Sequence, residues 1–185
     1  MTIATGQLAP DFSARTFRGD AVDLSQFRGK KVWLGFYRWA SCPLCNLRIT
    51  EILERHQEFE KAGIQTIAVF QSSPENIAKY VGAQDPPFPI IADPDLALYE
   101  QYDVQTSWAA MFYPRVFMRA IRAVFKGLLR IDLWDGPLAR VPADFLVDPE
   151  GLVYEAYYGQ AISDHIPFEA VHKFGEDLCL DMPQP

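Results

Sequence analysis

Two cysteines placed between an apolar run and a helical pattern constrain the fold of this chain more than any other feature. The run Val32-Trp33-Leu34-Gly35-Phe36-Tyr37 is apolar at successive positions, as a central strand covered on both faces should be. Cys42 and Cys45 follow it, and the apolar spacing beyond them fits one face of a helix. Pro43 suits a first helical turn, where its missing N–H costs nothing. The sequence therefore predicts a buried strand that leads into a long helix over 43–62.

The rest of the pattern alternates extended and helical segments, which indicates an α/β fold. The order strand, helix, strand over 32–70 predicts parallel pairing with a right-handed crossover. Asp148-Pro149-Glu150-Gly151 is a turn sequence and predicts that the last two strands form an antiparallel hairpin. We expect a central mixed β-sheet flanked by helices, with an N-terminal β-hairpin and a helical insertion. Strands are predicted at 11–17, 21–24, 32–37, 64–70, 88–91, 143–147 and 152–158, and further helices at 74–81 and 167–180.

The composition of the chain limits the classes of protein to which it can belong. Its 185 residues, 49% of them hydrophobic and 22% charged, predict a single domain over 1–185. The formal net charge of -7 argues against nucleic acid as a partner, because such binding relies on a surplus of Lys and Arg. No apolar stretch approaches the roughly 20 residues that span a bilayer, and residues 1–10 lack a signal-peptide pattern. We therefore expect a cytoplasmic protein that does not span membranes.

The spacing of the two cysteines favours thiol–disulfide chemistry. A sulfur at the start of a helix lies near unpaired backbone N–H groups, which stabilise a thiolate. Sites of this kind lower the pKa of a cysteine from about 8.5 to around 7 or below. Cys42 is therefore predicted to be the nucleophile. Cys45, one turn into the helix, is predicted to resolve a mixed disulfide or sulfenic acid on Cys42.

Two other interpretations of the cysteine pair stay open at this point. A structural zinc site needs about four ligands, whereas the chain has no second Cys-x-x-Cys and its His165 and His172 are distant in sequence. The pair is also compatible with two inert buried thiols. The third cysteine, Cys179, is expected at a buried apolar position of the last helix, with a second resolving role as the alternative. No metal and no bound cofactor are expected.

Residues beside the pair are further candidates for the site. Arg38 is expected either to hold the Cys42 thiolate by its charge or to be solvated, and Trp39 either to shield the sulfur or to pack in the core. Pro142 precedes a predicted strand, where a proline is unable to donate a ladder hydrogen bond. The candidate catalytic residues are Cys42, Cys45, Arg38 and Pro142, and the candidate substrate contacts are Trp39, Pro43 and Val141.

A basic stretch interrupts this acidic chain. Residues 104–131 contain no acidic side chain but include Arg115, Arg119, Arg122, Lys126 and Arg130. Apolar residues of the same stretch fall on one helical stripe that begins after Pro114, namely Met118, Ile121, Phe125 and Leu128. We predict an amphipathic basic helix over 114–130. It packs on the domain, contacts a second copy of the chain in a homodimer, or binds an anionic membrane or acidic partner.

Three motifs stand out near the start, at the cysteine pair and near the end of the chain: Gly6-Gln7-Leu8-Ala9-Pro10-Asp11-Phe12, Phe36-Tyr37-Arg38-Trp39 and Phe145-Leu146-Val147-Asp148-Pro149-Glu150-Gly151. With them the sequence resembles the alkyl hydroperoxide reductase and thiol-specific antioxidant family, in particular its peroxiredoxin-like branch that retains a Cys-x-x-Cys. The resemblance covers nearly the whole chain and implies a thioredoxin-like fold in which Cys42 is the peroxidatic cysteine. It also implies that Pro142 matches the cis-proline of thioredoxin, so we predict a cis Val141–Pro142 bond, and that 104–131 is the helical insertion of this branch.

The chain departs from the family pattern at the positions that bind peroxide. Peroxiredoxins carry Pro-x-x-x-Thr-x-x-Cys, and this chain has Gly35 in place of the Pro and Trp39 in place of the Thr. The Arg that family peroxidases place three residues before the Phe of the closing strand is Pro142 here. Since these groups orient the peroxide and stabilise charge on the leaving oxygen, their loss slows peroxide reduction unless Arg38 or Arg140 replaces them.

Together these features predict a thiol-dependent antioxidant oxidoreductase that cycles Cys42 and Cys45 between dithiol and disulfide. Its substrate is a hydroperoxide or a disulfide, and an external thiol such as thioredoxin or glutathione restores the dithiol. One alternative is a protein disulfide reductase without peroxidase activity. Another is a non-enzymatic redox-sensing or interaction module that uses the basic helix as its contact surface.

Overall fold

A five-stranded mixed sheet forms the centre of the protein. The computed structural model describes residues 2–112 and 136–177, together with Met118, Ile121 and Phe125. The sheet strands are β3 (Lys31–Phe36), β4 (Ile64–Phe70), β5 (Ile90–Ala92), β6 (Ala143–Val147) and β7 (Val153–Tyr158), in the spatial order β5-β4-β3-β6-β7. β3 is parallel to β4 and antiparallel to β6, which confirms both the predicted βαβ unit and the mixed sheet.

Within residues 2–112 and 136–177, an N-terminal hairpin and four α-helices surround this sheet. The hairpin pairs β1 (Ser13–Arg15) with β2 (Ala21–Asp23), and Gly19 turns it with a positive φ of 94°, a conformation that favours glycine. The helices are α1 (Pro43–Lys61), α2 (Pro74–Lys79), α3 (Ala97–Gln101) and α4 (Phe168–Asp177). Short 3-10 helices occur at Leu24–Phe27, Val81–Gln84 and Trp108–Phe112. None of the described helices is both long and apolar enough to cross a bilayer.

The helix α3 was missed by the sequence analysis because its five residues are too few to show a helical period. A single acidic side chain holds it in place. The Asp93 carboxylate accepts hydrogen bonds from the backbone N–H groups of Ala97, Leu98 and Tyr99, the donors that a helix start leaves without a partner. Tyr99 then reaches back, and its hydroxyl donates to the backbone oxygen of Tyr37 at the end of β3.

The central strand β3 is buried at all six of its positions, as its unbroken apolar run predicted. Trp33 belongs to the apolar cluster on the face that carries α1, while Leu34 and Phe36 belong to the cluster on the opposite face. The strand is therefore held from both sides, and its end is a well-defined starting point for the segment that carries the cysteines.

The predicted cis bond before Pro142 is wrong. All peptide bonds of the described residues are trans. Pro142 directly precedes β6, where no N–H is required, and its carbonyl accepts from the Gly159 N–H at 3.0 Å. The Val141 N–H donates to the Gln105 carbonyl at 3.1 Å. Since the backbone groups on both sides of the bond are paired in the trans form, the ordinary interpretation of a strand-start proline is sufficient.

Most of the predicted basic helix over 114–130 lies outside the described residues, as do Cys179, the end of the predicted last helix and the tail. Met118, Ile121 and Phe125 are the described positions of its apolar stripe. All three are helical and exposed. If the stripe packed on the domain, these three side chains would be buried.

Gly35 offers a test of how tightly the central strand is packed. A Cβ at this position would stand 3.0 Å from Tyr37 Cε2 and 3.1 Å from Asp144 Oδ1, both in fully buried side chains. We expect Gly35→Ala to lower the free energy of unfolding by about 1 to 3 kcal/mol and to change the near-UV circular dichroism. Urea unfolding and the spectrum of the folded protein measure the two effects.

Gly63→Ala is the matched control for that substitution. Gly63 has a φ of 75°, and no atom lies within 4 Å of the place that a Cβ would take, so alanine there costs about 1 to 2 kcal/mol through the backbone alone. Its near-UV spectrum should stay that of the parent. A Gly35→Ala protein with parental stability and spectrum would contradict the tight packing.

Candidate active site

The two cysteines lie at the junction between the end of β3 and the start of α1. Cys42 is the N-cap residue of α1, with an extended backbone (φ -61°, ψ 119°), and Pro43 is the first helical residue, as predicted. Both thiols are free and buried, and Cys42 is only 1% exposed. The helix begins at the cysteine pair because Pro43 needs no N–H partner and the Cys42 carbonyl accepts the first helical hydrogen bond, from Asn46 N.

The Cys42 thiol is acidic. Burial acts to raise its pKa, and a hydrogen bond donated by the Cys45 thiol acts to lower it, as does the positive charge of Arg38. Backbone N–H groups in the first turn of α1 lower it further, and together these effects bring the pKa of Cys42 to about 6. A pKa of about 6 makes Cys42 mainly a thiolate at neutral pH. Its predicted role as the nucleophile stays a prediction.

The Cys45 thiol is the protonated partner. Burial raises its pKa well above the usual range, and both the hydrogen bond to Cys42 and the negative charge of Cys42 raise it further. Because the two sulfurs are within hydrogen-bond reach, they are also close enough to form a disulfide after a local rearrangement. An ionised Cys42 beside a protonated Cys45 supports the predicted roles of an attacking thiolate and a resolving thiol.

Arg38 is a buried cation beside the reactive sulfur. It is 5% exposed, and its guanidinium carbon lies 4.1 Å from the centre of the Trp39 ring. Two of its buried nitrogens, Nε and Nη1, have no hydrogen-bond partner within the part of the chain that the structure describes. Leaving buried donors unpaired is costly, so the arrangement favours an oxygen ligand that accepts from them next to Cys42. Trp39 covers the guanidinium, which explains how one residue both packs and contributes to the site.

Arg140 is engaged elsewhere. Its Nε donates to Gln71 Oε1 at 3.3 Å, it also bonds the Val104 carbonyl, and its guanidinium carbon lies 5.0 Å from the centre of the Tyr99 ring. Arg140, which lies shortly before β6, thus links this part of the chain to Gln71 and to Val104. Of the two arginines considered from the sequence, Arg38 is the one whose charge acts on Cys42.

Other candidate residues are distributed around the pair. Val141 is buried in the same apolar cluster as Trp39 and both cysteines. Pro142 lines a different feature, a cavity of about 290 Å³ whose walls include Gln105 and Tyr158. The roles of Pro142, Val141, Pro43 and Trp39 towards a substrate stay predictions.

Polar side chains that the sequence analysis missed hold the loop before α1. The Ala40 N–H donates to the Ser72 hydroxyl at 2.8 Å, and the Asn46 amide donates to the carbonyls of Ala40 and Cys42 at 2.6 and 3.0 Å. Gln84 in turn donates to the Asn46 side chain at 3.1 Å. The contacts of Ser72 and Gln84 join distant parts of the chain, so no local pattern indicated them.

A buried acid and imidazole pair was also missed. Asp144 of β6 is fully buried, and its carboxylate lies 3.0 Å from His165 Nδ1. The sequence analysis considered His165 only as a zinc ligand that is distant in sequence from the cysteines. The available signal was an aspartate at the second position of a strand that is otherwise apolar. Within the described ranges, no group of three or more His, Cys, Asp or Glu side chains is arranged to hold a metal ion.

Proteins of known family match this chain over most of its length. The sequence model described as the AhpC/TSA family matches residues 5–156. A peroxiredoxin of Thermoplasma volcanium is 29% identical over 178 residues, which cover 82% of this chain and 86% of that protein. Peroxiredoxin Bcp of Escherichia coli is 23% identical over 163 residues, which cover 88% of this chain and 90% of that protein.

The solved structures give the same result for the fold. The crystal structure of peroxidoxin BcpB from Mycobacterium tuberculosis superposes with a TM-score of 0.69 at 15% identity and covers 95% of this chain and 98% of that one. At this identity the likeness is one of fold. It confirms the thioredoxin-like fold that the sequence motifs implied.

The role of Arg38 in the acidity of Cys42 is open to a direct test. Arg38→Met removes a charge that lowers the Cys42 pKa, so we expect that pKa to rise from about 6 by about 1 to 2 pH units. The thiolate is the form that reacts, and its alkylation by iodoacetamide therefore speeds up as the pH rises through the pKa. The midpoint of that rate profile measures the shift.

The measurement uses a Cys45→Ser, Cys179→Ser background, in which Cys42 is the sole thiol. Because Cys45 itself lowers the Cys42 pKa, the shift is taken relative to this background with Arg38 present. Arg55→Met is the matched control, because Arg55 is exposed on α1 and lies over the Phe168 ring. The control should keep the parental midpoint. An unchanged midpoint in Arg38→Met would show that Arg38 does not stabilise the thiolate.

Proposed function

The chain belongs to the AhpC/TSA family, and on that premise we propose that it reduces hydroperoxides, with Cys42 as the attacking thiolate and Cys45 as the resolving thiol. The observation that carries this proposal is the buried guanidinium of Arg38, whose charge acts on Cys42 and whose Nε and Nη1 have no hydrogen-bond partner among the described residues. A peroxide brings to such a site an oxygen for the sulfur to attack and a second oxygen that gains negative charge.

The chemistry divides into two steps. The Cys42 thiolate attacks one peroxide oxygen, the O–O bond breaks, and the other oxygen leaves as an alkoxide or hydroxide that takes up a proton. Cys42 is thereby oxidised to a sulfenic acid, and the peroxide is reduced to an alcohol or water. The Cys45 sulfur then attacks the Cys42 sulfur, the S–O bond breaks, and a disulfide and water are formed.

Arg38 takes over a task for which the family pattern uses other residues. The chain has Trp39 where the peroxide-binding hydroxyl belongs and Pro142 where the family arginine belongs. The unpaired Nε and Nη1 donors of Arg38 stabilise the developing charge on the leaving oxygen, and the buried surroundings strengthen that interaction. Trp39 holds the guanidinium in place from one face.

An external dithiol or thiol completes the cycle. Thioredoxin or glutathione reduces the Cys42–Cys45 disulfide by thiol–disulfide exchange, which needs no bound cofactor. The replacement of the peroxide-binding hydroxyl by Trp39 favours a second candidate function, the reduction of disulfides, because that reaction does not require the hydroxyl.

The two functions are distinguished by the rates at which hydrogen peroxide, an organic hydroperoxide and a model disulfide oxidise the reduced protein in parallel experiments. We expect the hydroperoxides to react faster, and mass spectrometry to find a Cys42–Cys45 disulfide. Cys42→Ser should abolish the reaction, and Cys45→Ser should stop at a sulfenic acid on Cys42. A model disulfide that reacts faster than both peroxides would favour the second function.

Arg38→Met tests how the leaving oxygen is stabilised. At pH 9 we expect this substitution to slow peroxide reduction by about 100-fold relative to iodoacetamide alkylation of the same thiol. At this pH Cys42 is ionised in both proteins, and alkylation needs no donor for an oxygen, so the ratio removes the effect of thiol acidity. Arg55→Met serves again as the control. If Arg38→Met lowers both rates equally, Arg38 does not contact the peroxide.

A further inference from the structure

A side-chain amide closes the loop that carries the reactive cysteine. Asn46 is the fourth residue of α1 and is 6% exposed. Its Nδ2 donates to the Ala40 carbonyl at 2.6 Å and to the Cys42 carbonyl at 3.0 Å. An amide nitrogen has two protons to donate, so these bonds use its full donor capacity. The residues that lead into α1 are thereby tied to the second turn of the same helix.

Gln84 holds the Asn46 amide in one orientation. Its Nε2 donates to Asn46 Oδ1 at 3.1 Å, and its Oε1 lies 2.8 Å from the Thr50 hydroxyl oxygen. If the Asn46 amide turned over, its oxygen would face two carbonyl oxygens and its nitrogen would face the Gln84 nitrogen. All three hydrogen bonds would then be lost. We call Asn46 and Gln84 the amide clamp.

The clamp restrains the part of α1 that is most prone to open. The first N–H groups of a helix have no partner within it, and helix ends fray. The N-cap residue of α1 is Cys42, and its thiolate interacts favourably with these N–H groups. That charge disappears when the sulfur is oxidised. The hydrogen bonds of Asn46 go to carbonyl groups, so they are independent of the state of the sulfur.

The first turn of α1 also determines the distance between the two sulfurs. Cys45 follows Cys42 by three residues, a spacing at which side chains of a formed helical turn are neighbours. The hydrogen bond between the two thiols depends on this turn. If the turn frays, a reaction between the sulfurs slows in proportion to the fraction of molecules in which they remain close.

We propose that Asn46 and Gln84 are positioning residues for the resolving step: the amide clamp keeps Cys45 within reach of Cys42 after Cys42 has been oxidised. The proposal rests on the proposed function in that Cys42 and Cys45 form a disulfide. In this step the Cys45 sulfur attacks the sulfur of the Cys42 sulfenic acid and the S–O bond breaks. The oxygen leaves as hydroxide and takes up the Cys45 proton, which gives water.

The first measurement determines how strongly the folded protein favours the Cys42–Cys45 disulfide. A Cys179→Ser background, in which these two are the only thiols, is equilibrated with mixtures of glutathione and glutathione disulfide. Each protein disulfide that forms converts one glutathione disulfide into two glutathione molecules. Acid quenching and mass spectrometry then count the reduced and oxidised proteins. A substitution that destabilises both folded forms equally leaves this equilibrium constant unchanged, so a merely structural role does not move it.

Two substitutions remove the clamp from opposite ends. Asn46→Leu keeps the size of the side chain but removes both donors, and Gln84→Met removes the support of the Asn46 amide from outside α1. We expect the equilibrium constant to fall about tenfold in Asn46→Leu and about threefold in Gln84→Met. The reason is that the reduced protein then populates frayed turns, which the disulfide-bonded protein is unable to adopt. In the double variant Gln84→Met should have no additional effect, since Gln84 acts through Asn46.

The second measurement times the attack by Cys45. Ellman's reagent, an aromatic disulfide, forms a mixed disulfide with Cys42 and releases one thionitrobenzoate. Attack by Cys45 on that mixed disulfide releases a second one, at a rate independent of the reagent concentration. Stopped-flow absorbance should show this second release slowed by about the same factors in the same variants.

Gly63→Ala and Gln101→Met are the matched controls. Gly63→Ala destabilises the fold through the backbone beyond the far end of α1, and Gln101→Met removes an amide that donates to the Asp11 carbonyl at 2.7 Å. Both should keep the parental equilibrium constant and the parental rate of the second release.

The proposal is overturned if folded Asn46→Leu keeps the parental values, or if Gln84→Met has its full effect in the absence of Asn46. Should Asn46→Leu fail to fold, parental values in Gln84→Met alone would overturn it. Failure of the peroxidase function would be distinct, because hydrogen peroxide would then be inert while the glutathione equilibrium still responds to both substitutions.

Discussion

The junction between β3 and α1 is the constraint on which the rest of the site depends. β3 is buried on both faces between β4 and β6, so the position at which it ends is determined by the whole sheet. Beyond it, the Tyr37 N–H donates to the Val69 carbonyl at 2.9 Å, and the Tyr99 hydroxyl donates to the Tyr37 carbonyl at 2.7 Å. The chain then has only a few residues in which to turn into α1. Cys42 is thereby held at the point where helical N–H groups converge.

Charge and burial act together at this junction. A cation as deeply buried as Arg38 is costly unless a negative group is near, and a thiolate as deeply buried as Cys42 is costly unless a positive group is near. Each charge thus lowers the free-energy cost of burying the other. Cys45 adds a hydrogen bond to the thiolate while it keeps its own proton. The same burial that keeps water from the sulfur therefore also contributes to the difference in pKa between the two thiols.

Local patterns were sufficient to predict much of this architecture. The apolar run of β3, the proline at the start of α1 and the turn before β7 each act within a few residues, so the strands, the long helix and the place of the cysteine pair followed from the sequence. Contacts between distant segments were not predictable in that way. Asp144 meets His165 only because β6 and the segment before α4 come together in space. The trans bond at Pro142 likewise reflects pairing with Gln105 and Gly159, which no neighbouring residue signals.

Gly35 stands where the family pattern has a proline, and the structure shows what this exchange makes possible. The space above Gly35 is filled by Asp144 and Tyr37, so positions 35, 37 and 144 form one interlocking unit. A side chain at position 35 would crowd both the carboxylate of Asp144 and the ring of Tyr37, so each of these three positions limits which residues the other two accept. A carboxylate introduced at the position of Asp144 in a related protein that has a side chain at the position of Gly35 would meet the same crowding.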